Sequence, residues 1–207
     1  RLQHPRHVRR TGVIAALATQ TSTKLALHGG DPVRDPKKAW PSWPIWDDAE
    51  RTALNEVLES GNWWYGERVK AFEAAFAEFQ GAAHCISCTN GTVGLELALE
   101  AAGIQRGDEV IVPPFTFIAT ATAVLRLGAF PVFADVNETW HIDPAAIEAA
   151  ITPRTKAIVA VHFGGVIADM DAINAIAEKH GLIVVEDAAH AWGSQWKGQG
   201  AGTLGVC

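Results

Sequence analysis

Several short stretches of this chain hold side chains that could do chemistry. Asn90-Gly91-Thr92-Val93-Gly94 stands where an apolar run gives way to a helical pattern. A helix start offers unpaired N–H groups and the positive end of a dipole, so such a turn suits an anion. Glycine lets the backbone come close, and the Thr92 hydroxyl adds a donor. Phosphate is the anion these features fit. The stretch is neither G-x-G-x-x-G nor a Walker loop, so it lends nothing to a dinucleotide or ATP. Taken alone, it equally suits an ordinary turn capped by Asn90. Asp187 follows the run Leu182-Ile183-Val184-Val185 and can hold a cationic group or cap the next helix. Phe117, after Pro113-Pro114, can stack on a flat ligand or pack in the core. His162 can touch a substrate or be a satisfied structural residue. His190, three residues past Asp187, can approach the same ligand. A phosphate turn, a flat stacking residue and an acid describe a pocket for a planar, phosphorylated, cationic ring. Pyridoxal phosphate fits that description.

The elements that must position these residues follow a regular rhythm. Apolar runs at 85–88, 109–112, 131–134, 157–161 and 182–185 alternate with helical patterns near 92–102, 117–127, 144–150 and 170–180. This is a βαβα series, which predicts an α/β fold with a mostly parallel sheet and helices on both faces. The continuous apolar runs are those of doubly buried strands. In such a sheet a ligand sits outside the carboxyl ends of the strands, where the residues named above fall. Two helices are expected before the series. Asp47 or Asp48 caps the first, with Ala49, Leu54, Val57 and Leu58 on one face. The second carries Val69, Phe72, Phe76 and Phe79 and stops before Gly81. Residues 24–46, rich in Pro, Gly and Trp, suit an extended arm.

Composition bounds the rest. The chain has 207 residues, 48% of them hydrophobic and 19% charged, as in ordinary soluble globular proteins. No apolar run reaches the roughly 18 residues of a membrane span. Residues 1–38 hold eight Lys/Arg against two Asp/Glu, and residues 39–207 hold nine against twenty-one. Residues 1–23 read as a disordered basic lead, and the acidic body argues against nucleic acid as a partner. Three cysteines, an odd number, fit a reducing cytoplasm. Cys85 and Cys88 form a C-x-x-C, but a strand would put them on opposite faces and no second pair completes a zinc site. They are expected to be small buried residues. The one methionine is Met170, and the chain stops inside the glycine-rich run 200–207, which reads as a connection entering another element.

The chain resembles the DegT/DnrJ/EryC1/StrS sugar aminotransferases, which are fold type I pyridoxal-phosphate enzymes. The resemblance runs from about Lys24 to Cys207. It is carried by residues 25–34, by Asn90-Gly91-Thr92, by residues 108–120 with their Pro-Pro-Phe-Thr-Phe core, by residues 151–158, by Ala168-Asp169-Met170-Asp171 and by Glu186-Asp187-Ala188-Ala189-His190-Ala191. The opening Gly-Gly-Asp-Pro-Val and the Trp-Pro arm are most similar to the keto-cyclitol and aminohydroxybenzoate branch.

The resemblance implies roles residue by residue. Gly91, Thr92 and the Val93 backbone would hold the phosphate, and Phe117 would stack on the pyridine ring. Asp187 would pair with the protonated ring nitrogen, and His190 would lie near the ring hydroxyl. Asp187 and His190 are thus the expected catalytic residues. The implied reaction moves an amino group from glutamate or glutamine to a keto-sugar or keto-cyclitol, in a homodimer with shared sites. Trp63, Trp64 and Tyr65 would line the pocket or the interface. Residues 47–207 would be part of the cofactor-binding large domain. The lysine that bonds the cofactor and the small domain would lie past Cys207. Lys197 sits in a turn that has no catalytic duty in the family. The alternatives are a sugar dehydratase of the same family, with His in place of that lysine, or a non-catalytic piece.

Overall fold

The computed structural model describes residues 24–35 and 37–207, so the basic lead expected over 1–23 lies outside the described residues. The chain divides into two compact units between Glu56 and Val57. In the first, a short 3-10 turn at Ala26–His28 ends at Gly29. The Arg34 guanidinium lies 3.9 Å from the Trp40 ring centre and donates to the carbonyls of Lys38 and Ala39. Helix α1, Asp48–Ser60, begins with a capping box: Ala49 N–H donates to Asp47 Oδ1 at 2.7 Å, and Asp47 N–H to Glu50 Oε2 at 2.7 Å. Its expected apolar face is uncovered, with Leu54 and Leu58 both exposed.

The second unit contains α2 (Glu67–Gln80), α3 (Gly91–Ala101), β1 (Glu109–Val112), α4 (Ala119–Arg126), β2 (Phe130–Phe133), α5 (Pro144–Ala150), β3 (Thr155–Val161), α6 (Met170–His180) and β4 (Ile183–Asp187). A small antiparallel pair follows, β5 (Gln195–Trp196) and β6 (Gln199–Gly200). Strands β2-β1-β3-β4 form one parallel sheet in that order. Alternation of side chains divides the core. Ile111, Ile158, Ala160 and Val184 pack with Ile147, Met170 and Ile173 of α5 and α6. Val110, Val112, Ala157, Val159 and Val185 pack with Leu95, Leu99, Ala123 and Val124 of α3 and α4. Each wholly buried Val, Ile or Leu contributes about 1.5–3 kcal/mol. The expected parallel sheet with helices on both faces is therefore present.

Three expectations need correction. Residues 85–88 are not a strand. No strand among the described residues lies beside them, and the Ser87 N–H and hydroxyl both donate to Glu73 Oε1, at 2.7 and 2.8 Å. Cys88 is correspondingly exposed and Cys85 only half-buried, and both are free thiols. Strand β2 is an edge strand with Phe130 and Phe133 exposed, because Pro131 has no N–H to give a second neighbour. On α2 the residues that bury are Glu73, Ala77 and Gln80, while Phe72 and Phe79 stay exposed. The polar pair is buried because it satisfies loop backbone. Gln80 Nε2 donates to the Ala201 carbonyl at 2.8 Å, and Gly193 N–H donates to Gln80 Oε1 at 2.7 Å.

This stitch explains Gly200. A Cβ there would fall 2.0 Å from the Gln80 carbonyl oxygen, a backbone atom that cannot swing away. Gly200→Ala is expected to destabilise the unit by about 1–3 kcal/mol. Thermal melting followed by circular dichroism checks it, and an unchanged midpoint would show that the loop moves freely.

Candidate functional site

The chain order reverses between β1 and β3, the place where an α/β sheet opens a crevice. A cavity of about 310 Å³ lies there, walled by Asn90–Thr92, Thr116, Phe117, Val161–Phe163, Asp187, Ala189 and His190. Two larger clefts, of about 430 and 470 Å³, are lined by residues 151–156 with 180–182 and by residues 78–81 with 195–203. No ionisable side chain lining either of those is buried.

At the start of α3, Asn90 is the N-cap, and its Oδ1 accepts from Val93 N–H at 3.0 Å. The Val93 amide, expected to serve a phosphate, is thereby committed to the cap. Among the described residues the Gly91 and Thr92 amides have no acceptor, and the first turn carries no acidic residue. The dipole at this helix start is uncompensated. Phe117 lines the cavity and is 73% exposed.

Asp187 ends β4 and is 9% exposed. Its Oδ2 accepts from Thr120 Oγ1 at 2.7 Å, and its Oδ1 accepts from Ala189 N–H at 3.3 Å. The adjacent Glu186 must point to the opposite face of the strand. There it accepts from His162 Nε2 at 2.8 Å and from the N–H groups of Gly202, Leu204 and Gly205 at 2.9, 2.6 and 2.7 Å. Burial pushes the Glu186 carboxyl upward, but these donors outweigh burial and hold it below the ordinary range. Ala168 N–H donates to His162 Nδ1, which assigns the His162 proton to Nε2. Both ring nitrogens are engaged, so His162 is the satisfied structural histidine of the two sequence alternatives.

His190 Nδ1 accepts from Gly164 N–H at 3.3 Å, and its ring meets the Phe163 ring edge-on at 5.6 Å. The cavity thus gathers Gly91, Thr92, Phe117, Asp187 and His190 from separate segments. It does not gather Trp63, Trp64 or Tyr65; the Tyr65 hydroxyl donates to Glu73 at 2.8 Å. Lys197 pairs with Asp171 and does not line the cavity. Among the described residues no cluster of His, Cys, Asp and Glu is arranged to hold a metal. None of their helices is long and apolar enough to cross a membrane.

Sequence reading missed Thr116, Thr120 and Phe163. Thr116 lies in the bend before α4 and Thr120 in its first turn, and their hydroxyls meet at 2.8 Å. Phe163 packs on Phe115, which packs on Trp140, with ring centres 4.6 and 5.0 Å apart. No local pattern announced that cluster.

The chain is similar to known proteins in sequence and in fold. The chain is 50% identical over 168 residues to 3-amino-5-hydroxybenzoate synthase of Amycolatopsis mediterranei (strain S699), covering 80% of this chain and 43% of that protein. The crystal structure of a 3-amino-5-hydroxybenzoic acid synthase matches with a TM-score of 0.78 at 50% identity, over 80% of this chain and 44% of that one. L-glutamine:2-deoxy-scyllo-inosose aminotransferase of Micromonospora echinospora is 46% identical over 192 residues, covering 89% of this chain and 45% of that protein. A chain assigned as a sugar aminotransferase of Streptococcus pneumoniae, solved in its PLP form, matches with a TM-score of 0.74 at 31% identity, over 78% of this chain and 45% of that one. The chain spans less than half the length of each of these relatives. The sheet and its two helical layers are of the fold type I class. Residues 44–207 match the family model itself, and with that match the crevice and the motif order have one common explanation: the chain belongs to the DegT/DnrJ/EryC1/StrS aminotransferase family.

Proposed function

We propose that this chain is the cofactor-binding portion of a pyridoxal-phosphate aminotransferase that moves an amino group from glutamine or glutamate to a keto-cyclitol or keto-sugar. The observation that carries the reading is one cavity joining an uncompensated helix start to a buried carboxylate.

The residues present fit this cofactor. The free Gly91 and Thr92 amides and the Thr92 hydroxyl would take the phosphate, while the Val93 amide stays with the Asn90 cap. Among the described residues a Cβ on Gly91 would meet no atom within 4 Å beyond its chain neighbours and its own helix backbone, so packing does not explain the glycine. Its bare backbone leaves the approach to the helix start open. Asp187 would pair with the protonated ring nitrogen, Phe117 would cover a ring face, and His190 would lie by the ring hydroxyl. Bound there, the cofactor supplies an electron sink for the carbanion left when an amino donor loses its α-proton. The chain's own residues bind, orient and hold the ring's charge. No described lysine lines the cavity, and the family's cofactor-bonding lysine is assigned to none of these residues.

The acceptor class rests on relatives named for deoxy-scyllo-inosose and aminohydroxybenzoate, and the donor on those named for L-glutamine. A homodimer in a reducing cytoplasm completes the proposal. Equilibrium dialysis of the 207-residue chain tests the cofactor site. Pyridoxamine phosphate is expected to bind about a hundredfold or more tighter than pyridoxamine, the worth of two charge-assisted hydrogen bonds. Equal affinity sinks the phosphate assignment. Amino transfer from L-glutamine across a panel of keto-cyclitols and keto-sugars, by an enzyme containing this chain, tests the substrate class.

A further inference from the structure

We infer that Thr120 is a positioning residue for Asp187: its buried hydroxyl sets the plane of the carboxylate that would meet the cofactor's ring nitrogen. The inference rests on the pyridoxal-phosphate reading above. Thr120 is wholly buried on α4, and its Oγ1 lies 2.7 Å from Asp187 Oδ2. The other bond to Asp187, from Ala189 N–H, is longer at 3.3 Å. An aspartate's last torsion is broad and two-fold, so the carboxylate plane needs an outside hold. Thr120 supplies the shorter of the two.

The direction of the proton is also determined. An ionised carboxylate only accepts, so the single Thr120 proton is committed to Asp187. Thr116 Oγ1 lies 2.8 Å from Thr120 Oγ1 and must then be the donor of that pair. Its own oxygen is left as an acceptor at the cavity wall, which Thr116 lines. The order Thr116 to Thr120 to Asp187 holds while Asp187 carries its charge. It gives the carboxylate a donor at Oδ2.

The test uses two probes on the 207-residue chain: pyridoxamine phosphate, and its 1-deaza analogue with C–H in place of the ring nitrogen. Wild type is expected to prefer the first. Thr120→Val should weaken pyridoxamine phosphate roughly tenfold, the worth of one hydrogen bond to a charged group, and leave the analogue nearly unchanged. Thr120→Ser, which keeps the hydroxyl, should retain the preference. Thr120→Ala gives the same comparison should the valine chain not fold. Equal weakening of both probes would mark Thr120 as merely structural and overturn the inference. If Asp187→Asn abolishes the preference while Thr120→Val keeps it, the positioning role fails and the cofactor reading stands. If wild type shows no preference, the pairing of Asp187 with the ring nitrogen fails and takes this inference with it.

Discussion

Asp187→Asn is expected to lower amino-transfer turnover by about a hundredfold or more in an enzyme containing this chain, while leaving the fold intact. A carboxylate beside a cation favours the charged partner by roughly 1–3 pKa units, and two units equal about 2.7 kcal/mol. Asparagine keeps the shape and an oxygen able to accept from Thr120, so the packing around β4 has little to lose. It cannot keep the negative charge. Turnover should therefore fall much further than cofactor affinity. Single-turnover amino transfer and cofactor titration, measured side by side, separate the two effects, and circular dichroism monitors the fold. Near-wild-type turnover would show that another acid serves the ring.

Glu186→Ala should produce the largest loss of stability. The side chain is wholly buried and gathers four donors: one imidazole N–H and three backbone N–H groups from the segment 202–205. Its removal strands all four, and breaking a buried hydrogen-bonded pair costs about 3–5 kcal/mol. The melting midpoint should fall by roughly 10 °C. A loss under about 1 kcal/mol in urea unfolding would mean that water replaces the carboxylate without strain.

The same group predicts a pH dependence. Its folded pKa lies below the ordinary 4.5. Its stabilisation is thus complete above about 4.5 and is lost as pH falls toward the depressed folded value. Other carboxylates with lowered values, Glu109 and Glu148 among them, act in the same direction. The difference between wild type and Glu186→Gln isolates the Glu186 share. The glutamine chain should show the shallower loss of stability with acid, and parallel curves would refute the assignment.

Much of the architecture was legible in local pattern. The helices at 144–150 and 170–180 and the strand at 109–112 fall where periodicity and capping residues put them. These are buried elements whose apolar spacing is set by their own geometry. The segment 85–88 was misread because its strand-like composition says nothing about whether a neighbouring strand is present to pair with it. The stripe Val69, Phe72, Phe76, Phe79 located α2 but did not show what it buries, because Glu73 and Gln80 are held by distant backbone groups.

The candidate site divides along the same line. By itself the sequence determined the chemistry on offer: a glycine-threonine helix start, an acid ending an apolar strand, and an aromatic residue after Pro-Pro. Residue type and immediate surroundings suffice for that. Tertiary structure alone decided which groups remain free to use it. It committed both nitrogens of His162 to Glu186 and Ala168. It sent the neighbouring acids Glu186 and Asp187 to opposite faces of β4, one to hold the fold and one to the cavity. It also brought Thr120, 67 residues away in the chain, to the Asp187 carboxylate. Hydrogen-bond partners are settled by distance in space, and sequence spacing reports that distance only within a single helix or strand.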